Sequence, residues 1–365
     1  MRLGILGGGQ LGRMLALAAI PLDVRCRFLD PDEDAPAAAV GEHYRGEFED
    51  AQELARFADG LDAATYEFEN VPVAAAEWLA RRLPTYPPVA ALAASQERLA
   101  EKSFFKGLGI ATPAFAPADS LQQLGAAIEE TGLPAVVKTR RFGYDGKGQA
   151  VIRAMSEIEN VWRLLGGMPL IVEGLVRFDR ELSIIAVRSR QGEVRTYPLV
   201  QNSHRDGILR LSIAPARNLT PSLQLAADEI VRQAMNALNY VGVLAIELFD
   251  VGGRLLVNEM APRVHNSGHW TIEGTETSQF ENHVRAVLAL PLGETAVRGY
   301  CAMVNLIGEL PDTRAILAGP GTHLHLYGKE PRPKRKIGHV TVRADDRDTL
   351  NQQLALIGKL VPDYR

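Results

Sequence analysis

A parallel α/β sheet followed by a mostly antiparallel α+β region is the fold that this 365-residue sequence predicts. Three observations carry it. Short apolar runs alternate with helical patterns over about residues 1–105, the pattern of a doubly wound parallel sheet. Glycine and proline then interrupt the helical pattern at Gly109-Ile110-Ala111-Thr112-Pro113. From about residue 179 the apolar runs lengthen and read as antiparallel strands. The length allows two or three domains with a sizeable core. The breaks divide the chain into an N-terminal parallel-sheet domain (1–108), a small domain (109–178) and a larger C-terminal domain (179–365).

In chain order, LGIL (3–6) predicts a strand, Gln10 to Ala19 a helix and VRCRFLD (24–30) a second strand. A helix lies within residues 91–109. The small domain holds AVVK (135–138), a Gly-rich loop, QAVIRA (149–154), a helix near 156–165 and LIVEGLV (170–176). Strands follow in ELSIIAVRS, VRTYPLVQNSH and GILRLSIAPA, then a helix at 222–238. VGVLAIELF and RLLVNEMA, joined by Asp250-Val251-Gly252-Gly253, form a hairpin. The last 45 residues read as short strands around a basic turn.

The net charge of −4 and pI near 6.1 give no reason to expect nucleic acid or an anionic membrane as partner. Two cysteines, Cys26 and Cys301, are too few for a disulfide framework and fit a reducing cytoplasm. The Gly-rich start reads as strand and turn, not as a signal peptide. No apolar run reaches the roughly 18 residues of a membrane span.

Four features carry chemistry. Gly7, Gly9 and Gly12 fit G-x-G-x-x-G after a strand, with Asp30 ending the next strand. That is the spacing of a dinucleotide site and keeps a nicotinamide-dependent oxidoreductase open; the alternative is a tight turn whose N–H groups suit any anion. Lys138 ends a strand and precedes Gly143, Gly146 and Gly148, with Tyr144, Asp145 and Lys147 between them. Such a loop can fold over phosphates, or it is a simple Asp-Gly hairpin turn. The backbone of LIVEGLV, whose only charge is Glu173, suits a purine edge and Glu181 suits a ribose hydroxyl, or both glutamates are surface carboxylates. Glu247 and Glu259 fall on one face of the hairpin if odd positions pair with odd. Two close carboxylates repel unless a cation lies between them, and few hard oxygen ligands with room for phosphates suit Mg²⁺. The alternative is a solvated sheet rim. His265 and His269 have helical zinc-site spacing, but Asn-Ser-Gly between them is a poor helix interior.

This order of strand-end Lys, Gly-rich lid, linker Glu and paired Glu resembles the ATP-grasp superfamily along nearly the whole chain. TYEFEN (65–70), FGYDGKGQ (142–149), NSHRDGIL (202–209), NEMAPRVHNSGHW (258–270) and YGKEPRPKRKIGH (327–339) are similar to the 5-(carboxyamino)imidazole ribonucleotide synthetase family of purine biosynthesis. Phe142 departs from it, where many members have Gly. The resemblance implies an ATP-grasp fold, a homodimer, and ATP-dependent carboxylation of aminoimidazole ribonucleotide with bicarbonate. It implies one or two Mg²⁺, with Mn²⁺ able to substitute. Lys138 would hold ATP phosphate under a lid of Gly143, Tyr144, Asp145, Gly146, Lys147, Gly148 and Gln149. Glu173 and Val176 would flank adenine and Glu181 would bind ribose, with Arg98 and His204 as further nucleotide contacts. Glu247 and Glu259 would carry the metal, with Asn258 beside the triphosphate. Arg263 would hold carboxyphosphate, while Asp145 and Lys147 act at the amine. Gln10, Leu11, Glu67, Tyr144, His265 and Asn266 would face the imidazole nucleotide, and Lys329, Arg335 and Lys336 would clamp its phosphate. Rival readings are the formate-using glycinamide ribonucleotide transformylase, a biotin carboxylase, the oxidoreductase above, and a non-catalytic nucleotide-binding protein. A biotin carboxylase should pair Arg with Gln-Val-Glu-His, where this chain has Val264-His265-Asn266-Ser267.

Overall fold

A computed structural model describes residues 1–143, 147–361 and 364. Three sheets organise the chain. The first is parallel: β1 (Arg2–Leu6), β2 (Arg25–Asp30), β3 (Glu42–Arg45) and β4 (Ala63–Tyr66), in the order β3-β2-β1-β4. Helices α1 (Gln10–Ala19) and α2 (Ala51–Ala58) connect its strands, and α3 (Val73–Ala80), α4 (Val89–Ser95) and α5 (Arg98–Gly107) follow it. The helical pattern predicted within 91–109 is two helices. Glu97 breaks it, because its carboxylate accepts the N–H groups of Leu99 and Ala100 and caps a new helix.

The second sheet is antiparallel: β5 (Phe115–Ala118), β6 (Ala135–Thr139), β7 (Gln149–Ile152) and β8 (Leu170–Gly174), in the order β5-β8-β6-β7. Helices α6 (Leu121–Thr131) and α7 (Ile158–Leu164) cover it and close a separate small core.

The third sheet has nine strands: β9 (Arg180–Arg188), β10 (Val194–Thr196), β11 (Val200–Arg205), β12 (Ile208–Ala214), β13 (Gly242–Val251), β14 (Arg254–Ala261), β15 (Tyr300–Ile307), β16 (Thr322–Leu326) and β17 (Lys336–Ala344). The order is β14-β13-β9-β11-β12-β15-β17-β16, with β10 on β9. The run VRTYPLVQNSH is two strands, because Pro198 has no N–H to give a ladder. Helix α8 (Pro221–Ala237) packs on one face. Helices α9 (Thr271–Gly274), α10 (Gln279–Val287) and α11 (Thr313–Leu317) intervene before β16. The chain ends on α12 (Arg347–Leu360), a helix that the expectation of short terminal strands did not include. Its signal was present: Asp346 caps it through the Thr349 N–H, and Leu350, Leu354 and Ile357 recur at helical spacing and are buried.

The first and third sheets share a core. Leu11 and Leu15 of α1 lie with Phe280 and Val284 of α10 and with Ile185 and Val187 of β9. His283 fastens this seam, bonding Thr65 of β4 at 2.8 Å and accepting the Val243 N–H at 3.1 Å. Burial keeps that imidazole neutral, pushing its pKa down to about 3. The seam holds the Gly-rich N-terminal loop against the C-terminal sheet. Among the described residues no helix is long and apolar enough to cross a membrane.

Candidate functional site

The β13–β14 hairpin builds the centre of the site. Its register runs Ala245↔Ala261, Ile246↔Met260 and Glu247↔Glu259, then shifts to Leu248↔Val257, leaving Asn258 as an extra residue. The predicted pairing of odd with odd therefore holds at the two glutamates and fails beyond them. In a regular strand Asn258 and Glu259 would point to opposite faces. The bulge re-aims them, and both line one cavity of about 390 Å³ together with Glu247. Burial, and then the facing Glu259 carboxylate, push the Glu247 carboxyl up to about 7. A cation among these oxygens would relieve that repulsion. Among the described residues no cluster of three or more His, Cys, Asp or Glu could hold a metal ion. Two carboxylates and an amide oxygen fit Mg²⁺ only if phosphates or water complete its shell. The helical spacing that a zinc reading of His265 and His269 needs is not formed. Residues 266–268 form a single 3₁₀ turn, and the fully buried His269 lies against the rings of Phe280 and His339.

The small sheet supplies the opposite wall. Lys138 and Gln149, partners across β6 and β7, both line the cavity. Lys138 Nζ lies 3.1 Å from Glu173 Oε2 of β8. Glu173 is itself buried behind that lysine, away from the cavity lining, and its Oε1 has no partner among the described residues. Burial opposes its charge, but Lys138 and Lys102 hold its pKa below the usual carboxylate value. Val176 lies half-buried in the connection from β8 to β9 and also stays off the lining. Arg98 donates to the Gly143 carbonyl at 3.1 Å, tying α5 to the root of the Gly-rich loop. At the far root Gly148 has φ +69°, and a Cβ there would meet Thr139 Oγ1 at 2.6 Å. Phe142 is exposed at φ +62°, a conformation that glycine adopts without strain. Lys147 is among the described residues but off the lining. Tyr144, Asp145 and Gly146 lie outside the described residues.

Glu181 and His204 face each other across β9 and β11, with His204 Nδ1 2.9 Å from Glu181 Oε2, and both line the cavity. Burial opposes the imidazolium, but the Glu181 hydrogen bond and the charge of Glu247 lift its pKa to about 9. A raised folded pKa gives stability that is complete below the unfolded value of about 6.5 and is lost as pH rises through about 9. His204→Gln is therefore expected to melt below the parent protein at about pH 6.5, by on the order of 1 kcal/mol, with the deficit shrinking by about pH 10. Thermal melts of both proteins across that range check it; a pH-independent deficit would refute the linkage.

The N-terminal loop answers the dinucleotide question. Glu67 accepts the N–H groups of Gly9 at 2.7 Å and Gly12 at 2.8 Å, and Asp30 accepts that of Gly8 at 2.6 Å. The protein's own carboxylate fills the nest that a pyrophosphate would need. Glu67 is thus spent inside the loop, while Glu69 and Asn70 of the same stretch reach the cavity with Gln10 and Leu11. Arg263 Nε binds Glu69 Oε2 at 2.5 Å, and its NH1 donates to the Val264 carbonyl. Burial works against the Glu69 charge, and Arg263 outweighs it and keeps the pKa low.

His265 bonds Ser267 through Nδ1 at 2.9 Å and points Nε2 toward Glu247, 3.6 Å away. Asn266 lines the same wall, and its two buried side-chain polar atoms have no partner among the described residues. From the β16–β17 connection, Lys329 donates to Gln10 Oε1. Lys336 lines the cavity and bears electrostatically on both Glu69 and Glu247. Arg335 instead bonds the Glu330 carbonyl at 3.2 Å, off the lining. Glu101 also reaches the cavity, although as one of several charged residues on its helix it offered no sequence signal.

Comparison with known proteins agrees in extent. The ribonucleotide synthetase preATP-grasp domain matches residues 1–96, the ATP-grasp domain 103–280, and the phosphoribosylaminoimidazole carboxylase C-terminal domain 301–353. The chain is 50% identical over 361 residues to N5-carboxyaminoimidazole ribonucleotide synthase of Pseudomonas aeruginosa, covering 99% of each. The crystal structure of the corresponding synthetase from Thermus thermophilus is similar at a TM-score of 0.95 and 58% identity, over 98% of each chain. The Aspergillus clavatus enzyme in complex with ADP and 5-aminoimidazole ribonucleotide is similar at 0.91 and 31% identity, over 100% of this chain and 98% of that one.

Proposed function

Because the chain belongs to the N5-carboxyaminoimidazole ribonucleotide synthase family and is an ATP-dependent ligase that carboxylates 5-aminoimidazole ribonucleotide, we propose how its residues divide that work. The bulge at Asn258 carries the reading, because it turns three oxygen-bearing side chains onto a wall opposite Lys138 and beside Lys336. One end of the cavity then suits a metal-bound triphosphate and the other a second phosphorylated nucleotide.

ATP lies between the small and large sheets. Lys138 and Arg98 hold its phosphates and Glu181 and His204 its ribose, while the backbone between Glu173 and Val176 borders the adenine, the Glu173 carboxylate itself being held by Lys138 and Lys102. The family's ATP and ADP complexes support nucleotide binding here. Glu247 and Glu259, with Asn258, would hold Mg²⁺, one or two ions or Mn²⁺ in its place, which when bound supplies charge neutralisation to the phosphates. A bicarbonate oxygen attacks the γ-phosphorus, the bond to the β-phosphate oxygen breaks, and ADP leaves with carboxyphosphate formed. The Arg263 fork, fixed by Glu69, orients this anion. Carboxyphosphate releases phosphate and CO₂, and the nucleotide's amine attacks the CO₂ carbon. The amine proton goes to a base, for which Asp145 on the lid with Lys147 is the assignment. Residues 143–149 exclude water from the short-lived intermediate. Gln10, Leu11, His265 and Asn266 face the imidazole nucleotide, and Lys329, Arg335 and Lys336 surround its phosphate, while Glu67 shapes the loop beneath it. A homodimer in the cytoplasm, with domains 1–108, 109–178 and 179–365, completes the proposal.

The test mixes protein, ATP, Mg²⁺, bicarbonate and 5-aminoimidazole ribonucleotide and follows ADP. Release that is independent of the nucleotide, or equal when formate replaces bicarbonate, would overturn it. Lys336→Ala is expected to raise the KM for the imidazole nucleotide by on the order of tenfold, the cost of one charge-assisted hydrogen bond, with the ATP KM little changed. A shift confined to the ATP KM would remove Lys336 from the clamp.

A further inference from the structure

Adjacent residues of α5, Glu101 and Lys102, are 3% and 1% exposed, and neither has a role in the scheme above. Burying two such charges costs several kcal/mol, and well-packed apolar residues often serve a fold as well or better. Their contacts give them another use. Glu101 Oε1 accepts the Met260 N–H at 2.6 Å, and Lys102 Nζ donates to the carbonyl of Asn258 and lies 3.4 Å from that of Val257. The two side chains therefore grip β14 on both sides of Glu259, at the bulge where its ladder to β13 slips register. β14 is the edge strand of the large sheet, so its outer backbone groups have no neighbouring strand among the described residues. Side chains of α5 take the place of that strand. Lys102 Nζ also lies 3.3 Å from Glu173 Oε2, the oxygen that Lys138 binds.

We propose that Glu101 and Lys102 are positioning residues for the nucleotide site. They hold Asn258 and Glu259 in the bulged geometry that faces the phosphates, and Lys102, through Glu173, ties that strand to Lys138 on the small sheet. The inference rests on reading Glu247, Asn258 and Glu259 as the metal and triphosphate end. A bulge on an edge strand is free to slip by one residue, and a slip would turn Glu259 away from Glu247. The grip on the 258 carbonyl and the 260 amide forbids it.

Calorimetric binding of ADP, with Mg²⁺ and with EDTA, tests this on the full-length protein, alongside Mn²⁺ binding in the presence of ADP followed by electron paramagnetic resonance. Glu101→Leu and Lys102→Met are each expected to weaken ADP binding about tenfold or more when Mg²⁺ is present, and less than about threefold in EDTA. Mn²⁺ affinity falls in parallel. Glu101→Gln, which keeps an acceptor for the Met260 amide, stays within about threefold of the parent in both conditions. Thermal melts identify variants that fold, and Lys102→Met carries the same readout if Glu101→Leu does not. An equal loss with and without Mg²⁺, or an unchanged Mg²⁺ dependence in a folded variant, overturns the inference. Glu259→Gln is measured beside them. If it keeps the parent's Mg²⁺ dependence, the metal reading has failed; if it alone loses that dependence, only the positioning role has failed.

Discussion

Glu259→Gln is expected to lower ADP formation by on the order of 10²–10³-fold, the scale for removing one electrostatic contact to a reacting phosphate or oxyanion. The substitution keeps shape and removes one charge of a facing pair. It also removes the repulsion that helps push the Glu247 carboxyl up to about 7. The melting temperature without ligands should therefore hold or rise while turnover collapses, a combination that general damage to the fold does not produce. A coupled ADP assay and a thermal melt check both halves. Turnover near the parent level would refute the metal role of Glu259.

Arg263→Ala should cost about 10²-fold or more in kcat, because the guanidinium fixed by Glu69 lines the cavity and is the group proposed to hold carboxyphosphate. It should also destabilise the protein, since the partner carboxylate loses its counter-charge. That penalty falls below the roughly 3–5 kcal/mol typical of a fully buried pair, because the Glu69 side chain is 31% exposed. The double variant Glu69→Gln/Arg263→Ala separates the effects: stability should return, and activity should not. Recovery of turnover in the double variant, or kcat near the parent level in Arg263→Ala, would reduce Arg263 to a structural ion pair.

Much of this was legible locally. The β1–α1 unit, the break near Gly109, the strand-end Lys138 and the hairpin of Glu247 and Glu259 each rest on residues close in sequence, where periodicity and turn chemistry act directly. The glutamate pairing was legible only on the condition that odd positions pair with odd; the turn's own register, Val251↔Arg254, pairs odd with even, and the bulge at Asn258 is what meets the condition. The G-x-G-x-x-G turn was visible, but its ligand was not. Glu67 is far along the chain, and no spacing rule says that a carboxylate from β4's end will reach back to fill the nest. The Pro198 break, the second helix after Glu97 and the terminal helix had local signals that the longer patterns masked.

By itself the sequence determined which elements form, where they end, and which short stretches carry phosphate and metal chemistry, because those properties depend on propensity, periodicity and motif spacing. Only the tertiary structure decided that Asn258 and Glu259 share a face. It alone moved Glu173 behind Lys138 and set Glu69, rather than Glu67, against the cavity. It also turned Glu101 and Lys102 into a grip on an edge strand. These outcomes depend on a one-residue slip in pairing and on charged groups meeting partners from 35 to 194 residues away along the chain. Burial and long-range hydrogen bonding set such contacts, and neither is written in any local window.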